Sequence, residues 1–269
     1  MPDLYAVFGH PVNHSRSADV HHHFAEQTGE DILYQRIDPG SDGFAQGLMD
    51  FLTQGGCGAN VTLPFKQTAF ELSDSLSVRA QQAGSVNTLE RLADGTILGD
   101  NTDGAGLIRD LQDNLGMDLR QCRTLLLGAG GAARGVIAPL LGAGVSRLHI
   151  ANRSADKAAA LAMRFQDQGS VSGGPLAALP ESPFDLIINA TAASVHGEAL
   201  DLPRTLLGSE CLCYDMAYSD NGTPFTRWAE RQGARTSDGW GMLIEQAAES
   251  FLLWRGIRPD TASLIKDRL

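Results

Sequence analysis

Cysteine, basic charge and unbroken apolar stretches are all scarce in this chain. Its 269 residues include 4 cysteines. Cys57, Cys122, Cys211 and Cys213 are spaced too widely for a zinc knuckle and are too few to staple a domain of this size. A reducing, cytoplasmic setting is the expectation. Lys and Arg number 21 against 32 Asp and Glu, a net charge of -11 at pH 7, which disfavours both a nucleic-acid binder and a polybasic membrane-surface protein. The opening MPDLYAVFGHPVNHS lacks a basic n-region and an apolar h-region, and the most apolar stretch, Leu125 to Gly144, is broken by Arg134 and repeated glycines. No targeting or membrane-spanning segment is expected. With 43% hydrophobic and 20% charged residues, extended disorder is excluded, while 30 glycines point to many tight turns.

What is present alternates. At ~150 residues per domain the length suggests two. In the first hundred residues, strands are expected at Leu4 to Gly9, Ile32 to Asp38 and Gly58 to Thr62, with helices at Ala18 to Thr28, through Phe44, Leu48, Phe51 and Leu52, and after Pro64. Val86 to Glu90 and Thr96 to Gly99 read as a hairpin around Asp94-Gly95. Strands at Thr124 to Leu127, Arg147 to Ala151, Phe184 to Asn189 and Cys211 to Met216 then alternate with helices at Gly131 to Leu141 and Ala155 to Gln166. That pattern is a doubly wound parallel sheet. Leu243, Ala247, Phe251 and Trp254 lie at helical spacing, followed by a last short helix, and the glycine-rich stretch from Gly99 to Gly106 is the expected flexible joint.

Thr124-Leu-Leu-Leu-Gly128-Ala129-Gly130-Gly131-Ala132-Ala133 puts a GxGxxA pattern directly after an apolar strand and at the mouth of a helix. Gly128 permits the tight turn, Gly130 lets a pyrophosphate approach the backbone, and Ala133 keeps helix and strand close. The next strand ends Ile150-Ala151-Asn152-Arg153-Ser154. It carries no Asp or Glu for a ribose 2′-hydroxyl. Arg153, Ser154 and Lys157 instead offer a clamp for a 2′-phosphate, so the cofactor expected is NADP.

Polar groups also collect in the first domain, in Gly9-His-Pro-Val-Asn-His14-Ser15-Arg-Ser17, Gly58-Ala-Asn60-Val-Thr62-Leu-Pro64-Phe-Lys66, Ala83-Gly-Ser-Val-Asn87-Thr and Gly99-Asp-Asn101-Thr-Asp103. Such strand ends are where open α/β sheets take ligands. Lys66 falls in the first turn of the helix after Pro64, and Asp103 puts a carboxylate at a strand end. His21, His22 and His23 are consecutive and point about 100° apart on a helix, so they cannot chelate one ion, and no metal is expected.

With its HSxS, NVTxPFK, AGSVNT, GDNTDGxG, GAGGAARG, NRSxxKA, INAT and GMLxEQAAExF segments, the chain resembles the shikimate dehydrogenase family nearly end to end. The resemblance implies an N-terminal α/β substrate-binding and catalytic domain over residues 1–103, joined by C-terminal helices from residues 238–269, and a Rossmann-type NADP domain over residues 104–237. It also implies reversible reduction of 3-dehydroshikimate to shikimate with NADPH, on the route to aromatic amino acids. Ser15 and Ser17 would bind the substrate carboxylate with Tyr218 nearby. Asn60, Thr62, Asn87 and Gln246 would hold ring hydroxyls, and Lys66 and Asp103 would be the catalytic pair, one of which takes the hydroxyl proton when the secondary alcohol is oxidised; the sequence leaves open which. Thr191, Gly239 and Met242 would join the glycine loop and the Arg153 turn around the cofactor. The partner implied is a small molecule, with the chain a monomer or homodimer. Two alternatives are a quinate or dual quinate/shikimate dehydrogenase and a non-catalytic NADP-sensing regulator.

Overall fold

A computed structural model describes residues 1–180 and 182–268. Two compact units emerge, residues 1–106 with 243–269 and residues 107–242.

The first unit is built on a mixed sheet. Strands β1 (Asp3–Phe8), β2 (Ile32–Ile37), β3 (Gly56–Val61), β4 (Ser75–Leu76), β5 (Thr88–Arg91) and β6 (Ile97–Asp100) stand in the order β2-β1-β3-β5-β6-β4. β1 pairs in parallel with both β2 and β3, and β5 runs antiparallel to β3 and β6. Around the sheet lie α1 (Ser17–Thr28), α2 (Phe44–Thr53), α3 (Lys66–Leu72) and α4 (Val78–Ala83). The amphipathic spacing in α2 buries Phe44, Leu48 and Phe51 against Phe8, Ala59 and Val61 of the sheet. α4 is stopped at both ends by local chemistry. The Ser77 hydroxyl accepts from the Ala80 amide at 3.2 Å, and Gly84 closes the helix at φ 61°.

The stretch expected as a flexible joint is regular structure: β6 ends at Asp100, and α5 (Asp103–Arg109) begins three residues later and runs into a π-helical turn, Asp110–Asn114. The boundary between the two units falls at Gly106–Leu107, at the end of this stretch, while Gly99 is a packing residue. A Cβ there would come within 2.3 Å of the Ser73 hydroxyl oxygen.

In the second unit β7 (Arg123–Leu127), β8 (Arg147–Asn152), β9 (Val171–Pro175), β10 (Phe184–Asn189), β11 (Leu207–Asp215) and β12 (Arg235–Ser237) form a parallel sheet in the order β12-β11-β10-β7-β8-β9. The helices are α6 (Gly131–Gly142), α7 (Ala155–Met163) and α8 (Pro224–Arg231). Both faces of β7 are buried, Leu126 in one apolar cluster and Leu125 and Leu127 in another, as a doubly covered parallel sheet requires. Strand order reverses between β7 and β10, which puts the ends of those two strands at the topological switch point. β9 and β12 escaped the sequence reading because Gly173-Gly174-Pro175 and Arg235-Thr236-Ser237 have little strand propensity and no apolar alternation. α9 (Trp240–Arg255) and α10 (Ala262–Lys266) complete the chain. Among the described residues no helix is long and apolar enough to cross a membrane.

Candidate active site

Lys66 opens α3 and Asp103 opens α5, so two helix starts deliver the two charges to one place. Lys66 Nζ donates to Asp103 Oδ2 at 2.6 Å, with the carboxylate side chain 1% and the amine side chain 13% exposed. Asn87 stands at the N-terminal edge of β5. Its Nδ2 lies 2.9 Å from Asp103 Oδ1 and 3.1 Å from Gln246 Oε1 on α9. Backbone bonds tie this corner down: the Val86 amide donates to the Lys66 carbonyl at 2.9 Å and the Asn87 amide to the Asp100 carbonyl at 3.0 Å. The structure thus brings together Lys66, Asp103, Asn87 and Gln246. A charge-assisted pair flanked by amides can hold and exchange a proton in a largely dry setting.

Ser15 and Ser17 meet at the start of α1, where Ser15 Oγ donates to Ser17 Oγ at 3.1 Å. Arg36 on β2 fixes the loop by donating from Nε to the Ser15 carbonyl at 2.6 Å. Thr62 follows β3, its amide donating to the Phe8 carbonyl at 2.8 Å. Asn60, expected to hold a substrate hydroxyl, spends its amide inside the fold. Its Oδ1 accepts from Tyr34 at 2.7 Å and contacts His21 Nε2 at 3.1 Å, while Nδ2 donates to Ser250 Oγ at 2.9 Å and Thr88 Oγ1 at 3.1 Å. His21, Tyr34, Thr88 and Ser250 were not singled out as site residues by the motifs.

In the second unit Gly128 leaves β7 at φ 110°, and a Cβ there would sit 3.0 Å from the Ala190 carbonyl oxygen. Only glycine fits both the angle and the approach. Beside Gly130 a Cβ would meet nothing within 4 Å, so the backbone at Gly130 borders open space at the start of α6, where Gly131 and Ala132 form the first turn. Arg153, Ser154 and Lys157 are exposed at the end of β8 and the start of α7, and Asn152 Nδ2 donates to the Ser154 carbonyl at 3.2 Å.

After β10, Thr191 is held by its amide at 3.1 Å and its hydroxyl at 2.7 Å from Asn189 Oδ1. Asn189 in turn donates to Asp215, which also accepts from Ser194 at 2.5 Å and Thr223 at 2.6 Å. Burial pushes the Asp215 carboxyl up despite these donors. Gly239 lies so close to Met216 that a Cβ would stand 2.3 Å from its carbonyl oxygen, Met242 is buried in the α6 cluster, and Tyr218 packs edge-on against Trp240 at 5.9 Å.

Three family models match: the shikimate dehydrogenase substrate binding domain over residues 7–89, shikimate / quinate 5-dehydrogenase over 110–196, and the shikimate 5′-dehydrogenase C-terminal domain over 239–266. The chain is 53% identical over 266 residues to the shikimate dehydrogenase (NADP(+)) of Methylococcus capsulatus, covering 98% of this chain and 95% of that one. The fold is similar to that of an Ael1 enzyme from Pseudomonas putida, with a TM-score of 0.89, 46% identity, and 98% and 97% of the two chains covered. It is also similar to shikimate 5-dehydrogenase from Thermus thermophilus in complex with NADP(H) and shikimate, with a TM-score of 0.86, 32% identity and the same coverage. From its first strand to its last long helix, the chain belongs to the shikimate dehydrogenase family.

Proposed function

We propose that this chain catalyses the reversible, NADPH-dependent reduction of 3-dehydroshikimate to shikimate. The observation that carries the reading is the Lys66–Asp103 ion pair, set against Asn87 and Gln246 in a chain of this family. Lys66 is the more exposed partner, 13% against 1%, so its Nζ is the atom that meets a substrate oxygen while Asp103 stays behind it. In the reducing direction the Lys66 ammonium donates a proton to the carbonyl oxygen as that carbon becomes a secondary alcohol. In the oxidising direction the neutral amine takes the hydroxyl proton back. Asp103 Oδ2 orients the amine and stabilises its charged form. Asn87, through Nδ2, fixes the other carboxylate oxygen.

Ser15 and Ser17 supply adjacent hydroxyls for the substrate carboxylate, and Thr62 and Gln246 supply polar groups for its ring hydroxyls. Asn60 is reassigned from substrate ligand to support, because its amide is committed to neighbouring side chains. NADP supplies the hydride acceptor when bound. Gly128, Ala129, Gly130, Gly131 and Ala132 would hold its pyrophosphate, the Asn152, Arg153, Ser154 and Lys157 turn its 2′-phosphate, and Thr191, Gly239 and Met242 its nicotinamide end. The open space beside Gly130 and the exposed cations after β8 fit that group.

Initial rates with shikimate and with quinate, each paired with NADP and with NAD, test the reading. Shikimate with NADP should dominate. Activity confined to quinate, or none with any pair, overturns it.

A further inference from the structure

Beneath the Lys66–Asp103 pair lies a largely buried run of side chains in which two amides are oriented by backbone groups. Asn87 Oδ1 accepts from the Thr102 amide at 2.8 Å. A backbone N–H can only donate, so Asn87 must turn its Nδ2 toward Asp103. Asn60 Nδ2 lies 3.3 Å from the Asn87 carbonyl, which can only accept, so the Asn60 oxygen must face Tyr34 and His21. His21 therefore carries its proton on Nε2. Its other ring nitrogen, Nδ1, is buried with no hydrogen-bond partner, and the ring is fully buried and stacked on Tyr34 at 4.4 Å.

The middle link is Thr88, itself fully buried. Its Oγ1 accepts from Asn60 Nδ2 at 3.1 Å and donates to Asn87 Oδ1 at 2.9 Å, with Ser250 Oγ alongside at 2.9 Å. With the Thr88 proton directed to Asn87 Oδ1 rather than to Ser250 Oγ, the direction is the same throughout: His21 Nε2 to Asn60 Oδ1, Asn60 Nδ2 to Thr88, Thr88 to Asn87 Oδ1, and Asn87 Nδ2 to Asp103 Oδ1 at 2.9 Å. Leaving one imidazole nitrogen bare in a dry aromatic cage is costly, and the fold tolerates it where the opposite nitrogen supplies a donor.

We propose that His21, Tyr34 and Thr88 form a one-way hydrogen-bond relay that holds the Asn87 amide against Asp103, which makes Thr88 a positioning residue for the reaction at Lys66. The relay rests on the reading of Lys66 and Asp103 as the reacting pair. Thr88 has no exposed surface, so it acts through Asn87.

The test is steady-state kinetics of shikimate oxidation by the full chain for Thr88→Val, Thr88→Ser and Tyr34→Phe, with a thermal melt of each. Thr88→Val keeps the shape and removes the hydroxyl. It should lower kcat on the order of tenfold while KM for NADP stays within about twofold, and Thr88→Ser should recover most of the loss. A folded Thr88→Val variant with unchanged kcat, or a serine variant no better than valine, overturns the relay. Should Thr88→Val fail to fold, Tyr34→Phe removes one oxygen and must lower kcat several-fold with KM for NADP unmoved; unchanged kcat there also overturns it. If the unaltered protein fails to oxidise shikimate, the proposed function falls and takes the relay with it. An active parent with silent variants sinks the relay alone.

Discussion

Lys66 Nζ and Asp103 Oδ2 stand 2.6 Å apart, and the acid is almost wholly withdrawn from solvent while the amine keeps a window. This asymmetry separates their parts. Lys66→Ala should lower kcat by at least about 10²-fold, with a smaller change in substrate affinity, because the group that exchanges the proton is lost while the binding groups remain. The same variant leaves the Asp103 carboxylate buried without its cation, a situation that costs roughly 3 kcal/mol. A lowered melting temperature should accompany the kinetic defect. Rapid-quench or steady-state rates on folded variant protein check it, and near-normal turnover removes Lys66 from the chemistry.

Ser15 and Ser17 share a hydrogen bond at 3.1 Å, and the Arg36 guanidinium holds the Ser15 carbonyl from behind. Their hydroxyls can both turn outward to one anion. Each hydrogen bond to a charged group contributes ~1.5 to 3 kcal/mol, so Ser15→Ala or Ser17→Ala should raise KM for shikimate roughly tenfold or more. kcat should move much less. A variant in which kcat falls and KM stays put would show that these hydroxyls act on the reaction itself.

At the end of β8 the chain presents Arg153 and Ser154 to solvent with no acid on the strand end itself, and Lys157 follows in the first turn of α7 beside Asp156. The planar guanidinium can stack on adenine and donate to a phosphate, and the strand end from Ile150 to Ser154 offers no carboxylate for a bare ribose. The preference for NADP over NAD in kcat/KM should be at least about tenfold, or ~1.4 kcal/mol. Arg153→Ala should erode it by weakening NADP while leaving NAD almost unchanged. Equal losses with both coenzymes would mean the turn is not reading the phosphate.

The parts of the site that sequence reading found are those written in short contiguous strings. Gly128 to Ala133 is one turn, and its first glycine holds a φ of 110° that side chains disfavour. The Asn87–Thr88 strand end and the Asp100–Asp103 helix start are likewise local. The support beneath them was hidden because its contacts cross the chain, His21 to Asn60 over 39 positions and Asn87 to Gln246 over 159. Three consecutive histidines look alike in the sequence. Only the packing of α1 tells them apart, with His21 buried, His22 exposed while accepting the Tyr34 amide proton at Nε2, and His23 half-buried. The internal bonds of Asn60 were hidden for the same reason, since an amide beside a substrate loop and an amide bracing one have the same letters around them.

His21 also gives the first unit a pH dependence whose sign follows from its surroundings. Burial, partly opposed by the Asn60 hydrogen bond and reinforced by His22, pushes its pKa down from 6.5 to about 3. The folded protein keeps the ring neutral where the unfolded chain would protonate it. Between those two values the unfolded state binds more protons, so stability rises with pH across the window. The contribution is complete above pH 6.5 and is lost progressively as pH falls toward 3. The slope from this one residue can reach about 1.4 kcal/mol per pH unit. Urea midpoints of the intact chain measured between about pH 5 and 7 should therefore fall on acidification, with the steepest part below the ordinary histidine range. His21→Phe keeps an aromatic ring among Phe24, Tyr34, Phe251 and Trp254 and has nothing to titrate. It should be less stable near neutrality, because Asn60 Oδ1 loses a donor, yet its midpoint should change less over the same pH interval. A variant whose acid sensitivity matches that of the parent would assign the effect to other groups and remove His21 as its source.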